Sequence, residues 1–252
     1  MLRPVKKEYG QHFLVDRNIL EVIGRLAELG PDDIVLEIGP GQGVLTRYLA
    51  ERVRRVHAIE IDQALEPALS GLGENVDLVF GDALRVELPQ DATKLVANLP
   101  YNVATPLVVE SLDGLPSVRL WCVMVQREVA DRLFAQPGTK EYGAVSVLVQ
   151  LAAERTGFHP VSRTVFRPQP NVDSALVAFR RTELPANYAR VKELVTAAFA
   201  HRRKTLPNSV AQTGRASREE AAAALDTIGR PRGIRAEALA PADFVALARA
   251  LP

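Results

Sequence analysis

Five short apolar runs constrain this chain more than anything else in it: residues 34–38, 56–60, 76–80, 95–97 and 120–125, each separated from the next by enough chain for a helix and its turns. Runs this short, continuous and rich in Val, Ile and Leu are strands covered on both faces. Helical patterns fall between them, at residues 44–52, 105–112 and 127–135, and before the first at 17–29, where Asp16 is the cap and Gly30-Pro31 the stop. Strands alternating with helices predict an α/β fold, a Rossmann-like parallel sheet with helices on both faces. Right-handed crossovers then bring the strand ends to one edge.

The pattern changes after about residue 160. Pro160, Pro168 and Pro170 punctuate a loop, residues 174–179 read as a last strand, and everything from Asn187 onward reads as helix. The helices expected there are 188–200, 217–228, opened by the capping box Ser217-x-x-Glu220, and 243–251. A boundary is expected near residue 182, dividing an α/β domain, 1–182, from a small all-helical domain, 183–252. Charge divides at nearly the same place. Residues 1–180 carry 19 Lys/Arg against 23 Asp/Glu, whereas 181–252 carry 12 against 7, a net +5 that suits contact with a polyanion and equally a solvated surface. One cysteine, Cys122, excludes a disulfide framework. The N-terminus lacks the apolar run of a signal peptide, and no stretch approaches the ~20 apolar residues of a membrane span, so a cytoplasmic protein is expected.

The chemistry-bearing residues cluster where the strands end. Gly39, Gly41 and Gly43 follow the first strand, and a third glycine one place early for G-x-G-x-x-G argues against a pyrophosphate grip. Such a loop is otherwise a ligand cradle or a plain tight turn. Glu60 ends the second strand, placed for a ribose; Asp82 ends the third, placed for an adenine amino group; Glu37 sits just before the glycines, facing them or a cationic ligand. Singly each acid is an ordinary strand terminus. Together they describe a pocket for an adenosine without phosphates, and S-adenosylmethionine is the common ligand that fits. The fourth strand ends in Asn98-Leu99-Pro100-Tyr101, where proline stops the ladder. An amide oxygen and a bare carbonyl accept two hydrogen bonds from an amino group, and the ring beside them stacks on a flat base. The alternative is a strand end with an Asn turn.

Glu37-Ile38-Gly39-Pro40-Gly41-Gln42-Gly43, Glu60, Gly81-Asp82 and Asn98-Leu99-Pro100-Tyr101 together resemble the signature of class I methyltransferases acting on the adenine amino group. Gly10-Gln11-His12-Phe13-Leu14, Tyr142-Gly143-Ala144-Val145-Ser146 and Phe166-Arg167-Pro168-Gln169-Pro170-Asn171-Val172-Asp173-Ser174 narrow this to the ribosomal RNA adenine dimethyltransferases. Phe199-x-x-Arg202-Arg203-Lys204-Thr205-Leu206 resembles the bacterial small-subunit branch rather than the erythromycin-resistance enzymes. His12 departs from the asparagine commoner in the family.

The resemblance implies S-adenosylmethionine as cofactor, held by Gln11, His12, Leu14, Glu37, Gly39, Gly41, Gly43, Glu60, Ile61, Asp82, Ala83 and Asn98. Asn98, Leu99, Pro100 and Tyr101 form the catalytic group, with Tyr101 and Phe166 stacking on the target base. The implied substrate is a pair of adjacent adenosines near the 3′ end of 16S rRNA, in the 30S subunit or its precursor. Lys6, Lys7, Arg202, Arg203 and Lys204 are candidate RNA contacts, with Arg3 beside the first two. A monomer is expected, and no His or Cys spacing suggests a metal. Rival readings are a 23S rRNA adenine methyltransferase of the erythromycin-resistance type and a non-catalytic ribosome-assembly factor.

Overall fold

The computed structural model describes residues 11–252. Arg3, Lys6, Lys7 and Gly10 lie outside the described residues. Contacts divide the chain into two units, one of residues up to Ala130 with Arg155–Arg181, the other Asp131–Glu154 with Thr182–Pro252.

The first unit runs β1 (Phe13–Leu14), α1 (Arg17–Leu26), β2 (Ile34–Ile38), α2 (Val44–Ala50), β3 (Arg55–Glu60), α3 (Glu66–Leu69), β4 (Val76–Phe80), β5 (Lys94–Asn98), α4 (Ala104–Gly114) and β6 (Leu120–Gln126). The helix α5 (Arg127–Leu133) begins in this unit, to which β7 (Ala153–Val161), β8 (Phe166–Arg167) and β9 (Ser174–Arg181) return the chain. Seven strands form one sheet in the order β4-β3-β2-β5-β6-β9-β7, and β1 pairs with β8 apart from it. The strands β2 to β6 pair in parallel, as the alternating pattern requires.

The sheet is not parallel throughout, which corrects the sequence expectation. β9 runs antiparallel to β6, with Gln126 opposite Ser174 and Leu120 opposite Arg180. The chain enters β9 at the end where β6 stops, Arg127 N–H donating to the Asp173 carbonyl (3.0 Å), so it runs back along its neighbour. β7 is a second departure. Its residues are mostly polar or half-exposed and include Pro160, a composition tolerated because the strand lies at the sheet edge.

Apolar packing covers both faces of the sheet. One cluster gathers Ile19, Leu20 and Ile23 of α1, Leu45 and Leu49 of α2, and Val35, Val56, Val96 and Cys122 of the sheet. Asp16 caps α1 by accepting from Asn18 N–H at 2.8 Å, as expected from the sequence. Elsewhere Trp121 stacks on Phe179 with ring centroids 5.2 Å apart and donates to Ser111 Oγ at 2.9 Å. Arg181 lies over the Trp121 ring and donates to the carbonyls of Leu112, Leu115 and Val118, closing the C-terminal end of α4 with positive charge. Trp121 and Cys122 are therefore core residues.

The second unit is helical: α6 (Ala144–Ala152), α7 (Tyr188–Phe199), α8 (Leu206–Gln212), α9 (Arg218–Thr227) and α10 (Pro241–Ala250). The Ser217–Glu220 capping box forms with both of its hydrogen bonds, at 3.1 and 2.7 Å. Tyr142, Phe199 and Phe244 pack ring against ring, and the Tyr142 hydroxyl donates to the Leu239 carbonyl at 2.7 Å. The helix α6 is apolar nearly all round, so no helical contrast marks it in the sequence.

Candidate active site

The strand order reverses at β2. From β2 the chain steps outward through β3 to β4, then returns to lay β5 on the other side of β2. Such a switch opens a crevice beyond the carboxyl ends of the two diverging strands. The glycine turn after β2 and Asn98-Leu99-Pro100-Tyr101 after β5 line that crevice together.

On the β2–β4 side the pocket is acidic. Glu37, Glu60 and Asp82 line it, and no Lys or Arg does among the described residues. Glu60 is 4% exposed and is held at both oxygens, Oε2 accepting from Gly41 N–H (3.0 Å) and Oε1 from Asp62 N–H (2.9 Å). Burial raises its pKa, which those two hydrogen bonds oppose. Glu37, 1% exposed, has no partner at Oε2, and Thr46 Oγ1 of α2 is likewise buried without one. Burial pushes the Glu37 carboxyl up to about 8, opposed by the nearby Thr46 hydroxyl and reinforced by the charge of Glu60. Gly41 has φ +60°, and a Cβ there would stand 2.9 Å from the Phe13 ring, so only glycine lets the turn pass beneath the N-terminal segment. That donor set, acidic and lacking cations, suits a cationic adenosine ligand and disfavours a phosphorylated one.

On the β5 side, side chains set the geometry. Asn98 Nδ2 donates to the His12 carbonyl at 3.0 Å, an orientation that turns Oδ1 away as the amide's acceptor. Leu99 is buried and its N–H donates to the Met124 carbonyl on β6 (3.1 Å), while the Pro100 carbonyl accepts from Val103 N–H (3.1 Å). Tyr101 Oη lies 2.6 Å from Ser174 Oγ at the start of β9, and Ser174 is buried. Burial raises the Tyr101 pKa, the Ser174 hydrogen bond lowers it, and the charge of Asp173 raises it further. The Tyr101 ring lies 5.4 Å from the His12 ring at a 32° tilt, and His12 Nδ1 is hydrogen-bonded to the Pro168 carbonyl at 2.8 Å.

The structure gathers most of the expected residues into this one pocket: Gln11, His12, Leu14, Glu37, Gly39, Gly41, Glu60, Ile61, Asp82, Ala83, Asn98, Leu99, Pro100 and Tyr101 all line it. Two do not. Gly43 begins α2 with φ +74°, and its face is closed by Leu72 and Arg47, so it serves the helix start. Phe166 has no exposed surface and packs in the core with Leu14, Ile19 and Ile23, which leaves no face for a base. Among the tail cations, Arg202 donates to the carbonyls of Lys140 and Tyr142 and pairs with Glu237, a structural engagement, while Arg203 and Lys204 are exposed.

Sequence reading missed three contributors. Asp62 accepts from Gln11 Nε2 (3.1 Å), tying the N-terminal segment to the end of β3; its position two residues beyond Glu60 was the available signal. Ser174 fixes Tyr101, and Pro168 fixes His12. Both partners lie in the 166–174 motif, but nothing local to either serine or proline announces a contact so distant in sequence.

Comparison with known proteins bears on this pocket directly. The family model described as ribosomal RNA adenine dimethylase matches residues 3–249. The protein named ribosomal RNA small subunit methyltransferase A from Rubrobacter xylanophilus is 48% identical over 251 residues, covering 97% of this chain and 94% of that one. The protein of the same name from Thermobifida fusca is 44% identical, covering 100% and 91%. Among solved structures, a dimethyladenosine transferase from Plasmodium falciparum superposes with a TM-score of 0.78 at 26% identity over 94% of this chain and 96% of that one. The 23S rRNA methyltransferase ErmE superposes with a TM-score of 0.66 at 32% identity over 95% and 99%.

Proposed function

The chain belongs to the ribosomal RNA adenine dimethylase family, and from that premise we propose that it dimethylates the N6 amino groups of two adjacent adenosines near the 3′ end of 16S rRNA, using S-adenosylmethionine. The small-subunit assignment follows the relatives at 44–48% identity rather than the 32% identical 23S enzyme. The observation that carries the reaction is the commitment of Asn98 Nδ2 to the His12 carbonyl, beside an acidic pocket at the sheet's switch point.

Bound here, S-adenosylmethionine supplies an electrophilic methyl group on a sulfonium. The residues fit it. Glu60, fixed by two backbone N–H groups, retains lone pairs for ribose hydroxyls, and Gly39 and Gly41 let the ligand lie against backbone. Asp82 and Ala83 would hold its adenine, and the exposed Ile61 and Leu84 line the same pocket. Gln11, His12 and Leu14 close the N-terminal side.

The acceptor nitrogen of adenine is a poor nucleophile because its lone pair is shared with the ring. Asn98 Oδ1 and the Leu99 carbonyl accept its two N–H bonds, make the nitrogen more tetrahedral and aim the lone pair. Tyr101 stacks on the base, its ring held in place by Ser174. Rate comes from holding the reactants in line, and the nitrogen's proton passes to solvent afterwards. After the first transfer the nitrogen keeps one N–H, so the second needs the base to turn in the site. An unstacked adenosine is required throughout, which favours RNA loops over duplex.

Residues 183–252 act as a helical RNA-recognition domain on this reading, with Arg203 and Lys204, and Lys6 and Lys7 at the N-terminus, as phosphate contacts. The protein works as a cytoplasmic monomer on the 30S subunit or its precursor. No helix of the described residues is long and apolar enough to cross a membrane. The test is a transfer assay with labelled methyl donor on unmodified 30S particles, naked 23S rRNA and duplex DNA, with the product nucleoside identified by mass. N6,N6-dimethyladenosine from the 30S arm alone is the expected result; labelling confined to 23S rRNA, or binding to 30S without transfer, overturns the proposal.

A further inference from the structure

Glu37 is the one acid of the pocket that the reaction above leaves without a task. It is 1% exposed, yet its Oε2 has no hydrogen-bond partner. Two neighbouring acids are tied down: Glu60 by the N–H groups of Gly41 and Asp62, and Asp62 by Gln11 and Ala64 N–H. From α2 the group facing Glu37 is the Thr46 hydroxyl, and from β3 it is Glu60. The other ionisable side chains along the pocket are Asp82, His12 and Tyr101, and no Lys or Arg lines it among the described residues. An ionised carboxylate in such a place lacks both water and a counter-ion, so the pocket itself favours the neutral acid. A cation entering the pocket reverses that preference.

We propose that Glu37 is the specificity-determining residue by which the pocket separates the methyl donor from the product that lacks its sulfonium charge, meeting the sulfonium as a carboxylate and the thioether as a neutral acid. This rests on the reading of the pocket as an S-adenosylmethionine site. The step balances simply: the Glu37 O–H bond breaks as the donor binds, the proton goes to buffer, and the electron pair stays on the carboxylate facing the positive charge. Once the methyl group has left, no sulfonium remains to hold Glu37 ionised. It takes a proton back, and the product loses the attraction that held the donor. Burial pushes the free carboxyl up to about 8, so the exchange falls in the physiological range.

The test is isothermal titration calorimetry of the wild-type protein with S-adenosylmethionine and S-adenosylhomocysteine, in phosphate and in Tris at pH 7, with Kd followed from pH 6 to 8. Both ligands carry the same amino and carboxyl groups, so their difference isolates the sulfonium. Expected are close to one proton released per donor bound and none per product. Donor affinity should weaken about tenfold per pH unit below about 8, while product affinity stays flat. Sinefungin, with an amine in place of the sulfonium, should follow the donor. Glu37→Gln should abolish the proton release and flatten the donor's pH dependence; if that variant does not fold, the three-ligand comparison on wild type still decides. Equal proton counts and equal slopes for donor and product overturn the inference while leaving the site reading intact, as does a release that persists in E37Q and so belongs to Glu60, Asp82 or His12. Failure of either adenosyl ligand to bind overturns both.

Discussion

The two sides of the pocket are built by different means. The β2–β4 side is held by backbone: Gly41 and Asp62 N–H groups fix Glu60, the Leu84 and Ala64 N–H groups fix Asp82 and Asp62, and strand register sets the spacing. The β5 side depends on single side-chain links: Asn98 to the His12 carbonyl, Tyr101 to Ser174, His12 to the Pro168 carbonyl. A surface fixed by backbone tolerates loss of a neighbour, and its substitutions should show in ligand affinity. A surface fixed by isolated links should lose orientation with each one, which shows in kcat.

Four substitutions or conditions press on that contrast, in descending order of effect. Asn98→Ala removes the acceptor itself, and single-turnover kinetics on its RNA should show kcat down by on the order of 10²–10³, with donor Kd changed by less than about threefold, by analogy with removal of one preorganised polar group from an active site. Wild-type kcat in that variant would break the comparison on the acceptor side. Glu60→Gln removes the charge and turns one of the two accepting oxygens into an NH2 that cannot accept from Gly41 or Asp62 N–H, so donor Kd measured by calorimetry should rise by roughly tenfold to a hundredfold while kcat at saturation stays near wild type.

Glu37 sets a third measurement, on the ligand-free protein. Its folded-state pKa of about 8 stands above the ordinary carboxylate value, so the protein binds the proton more tightly folded than unfolded. Stability from this group is complete below about pH 4.5 and is lost as pH rises toward 8, by a few kcal/mol at ~1.4 kcal/mol per unit of pKa difference. Denaturant melts from pH 5 to 8 should show that decline, and E37Q should flatten it; a wild-type profile as flat as the variant's would remove Glu37 from the balance. The smallest effect belongs to Ser174→Ala. One hydrogen bond of ordinary strength, about 0.5–1.5 kcal/mol, corresponds to a loss of roughly twofold to tenfold in kcat/KM. Tyr101→Phe, which breaks the same link from the other end, should match it and should not add to it in the double variant.

Legibility in the sequence follows the same division. Glu60, Asp82, the glycine turn and Asn98-Leu99-Pro100-Tyr101 were readable because each sits at the end of an apolar run, and a parallel sheet must bring such ends together. Ser174 and Pro168 were not, since their roles arise from β9 arriving beside β6 and β8 beside β1 through contacts with no periodic mark. Phe166, named as a stacking residue only through the family resemblance, is instead fully buried, because the β1–β8 pairing turns it into the core. The all-parallel expectation failed at β9 because strand direction depends on which end the chain enters. The helix α6 was silent because a helix apolar on every side carries no contrast.

The clasp between the N-terminal segment and the 166–174 loop also governs when the site comes into being. His12 and Pro168 are separated by 156 positions, and Tyr101 and Ser174 by 73. Synthesis proceeds from the N-terminus, so the five parallel strands and their helices are complete in sequence by Gln126, well before either clasp residue exists. A nascent chain of that length carries the acids, Asn98 and the Asn98 link to the His12 carbonyl, but has neither the Ser174 hydroxyl for Tyr101 nor the Pro168 carbonyl for the His12 ring. Competence at this pocket is therefore a late event in the making of the chain, conferred by its last sheet strand rather than its first.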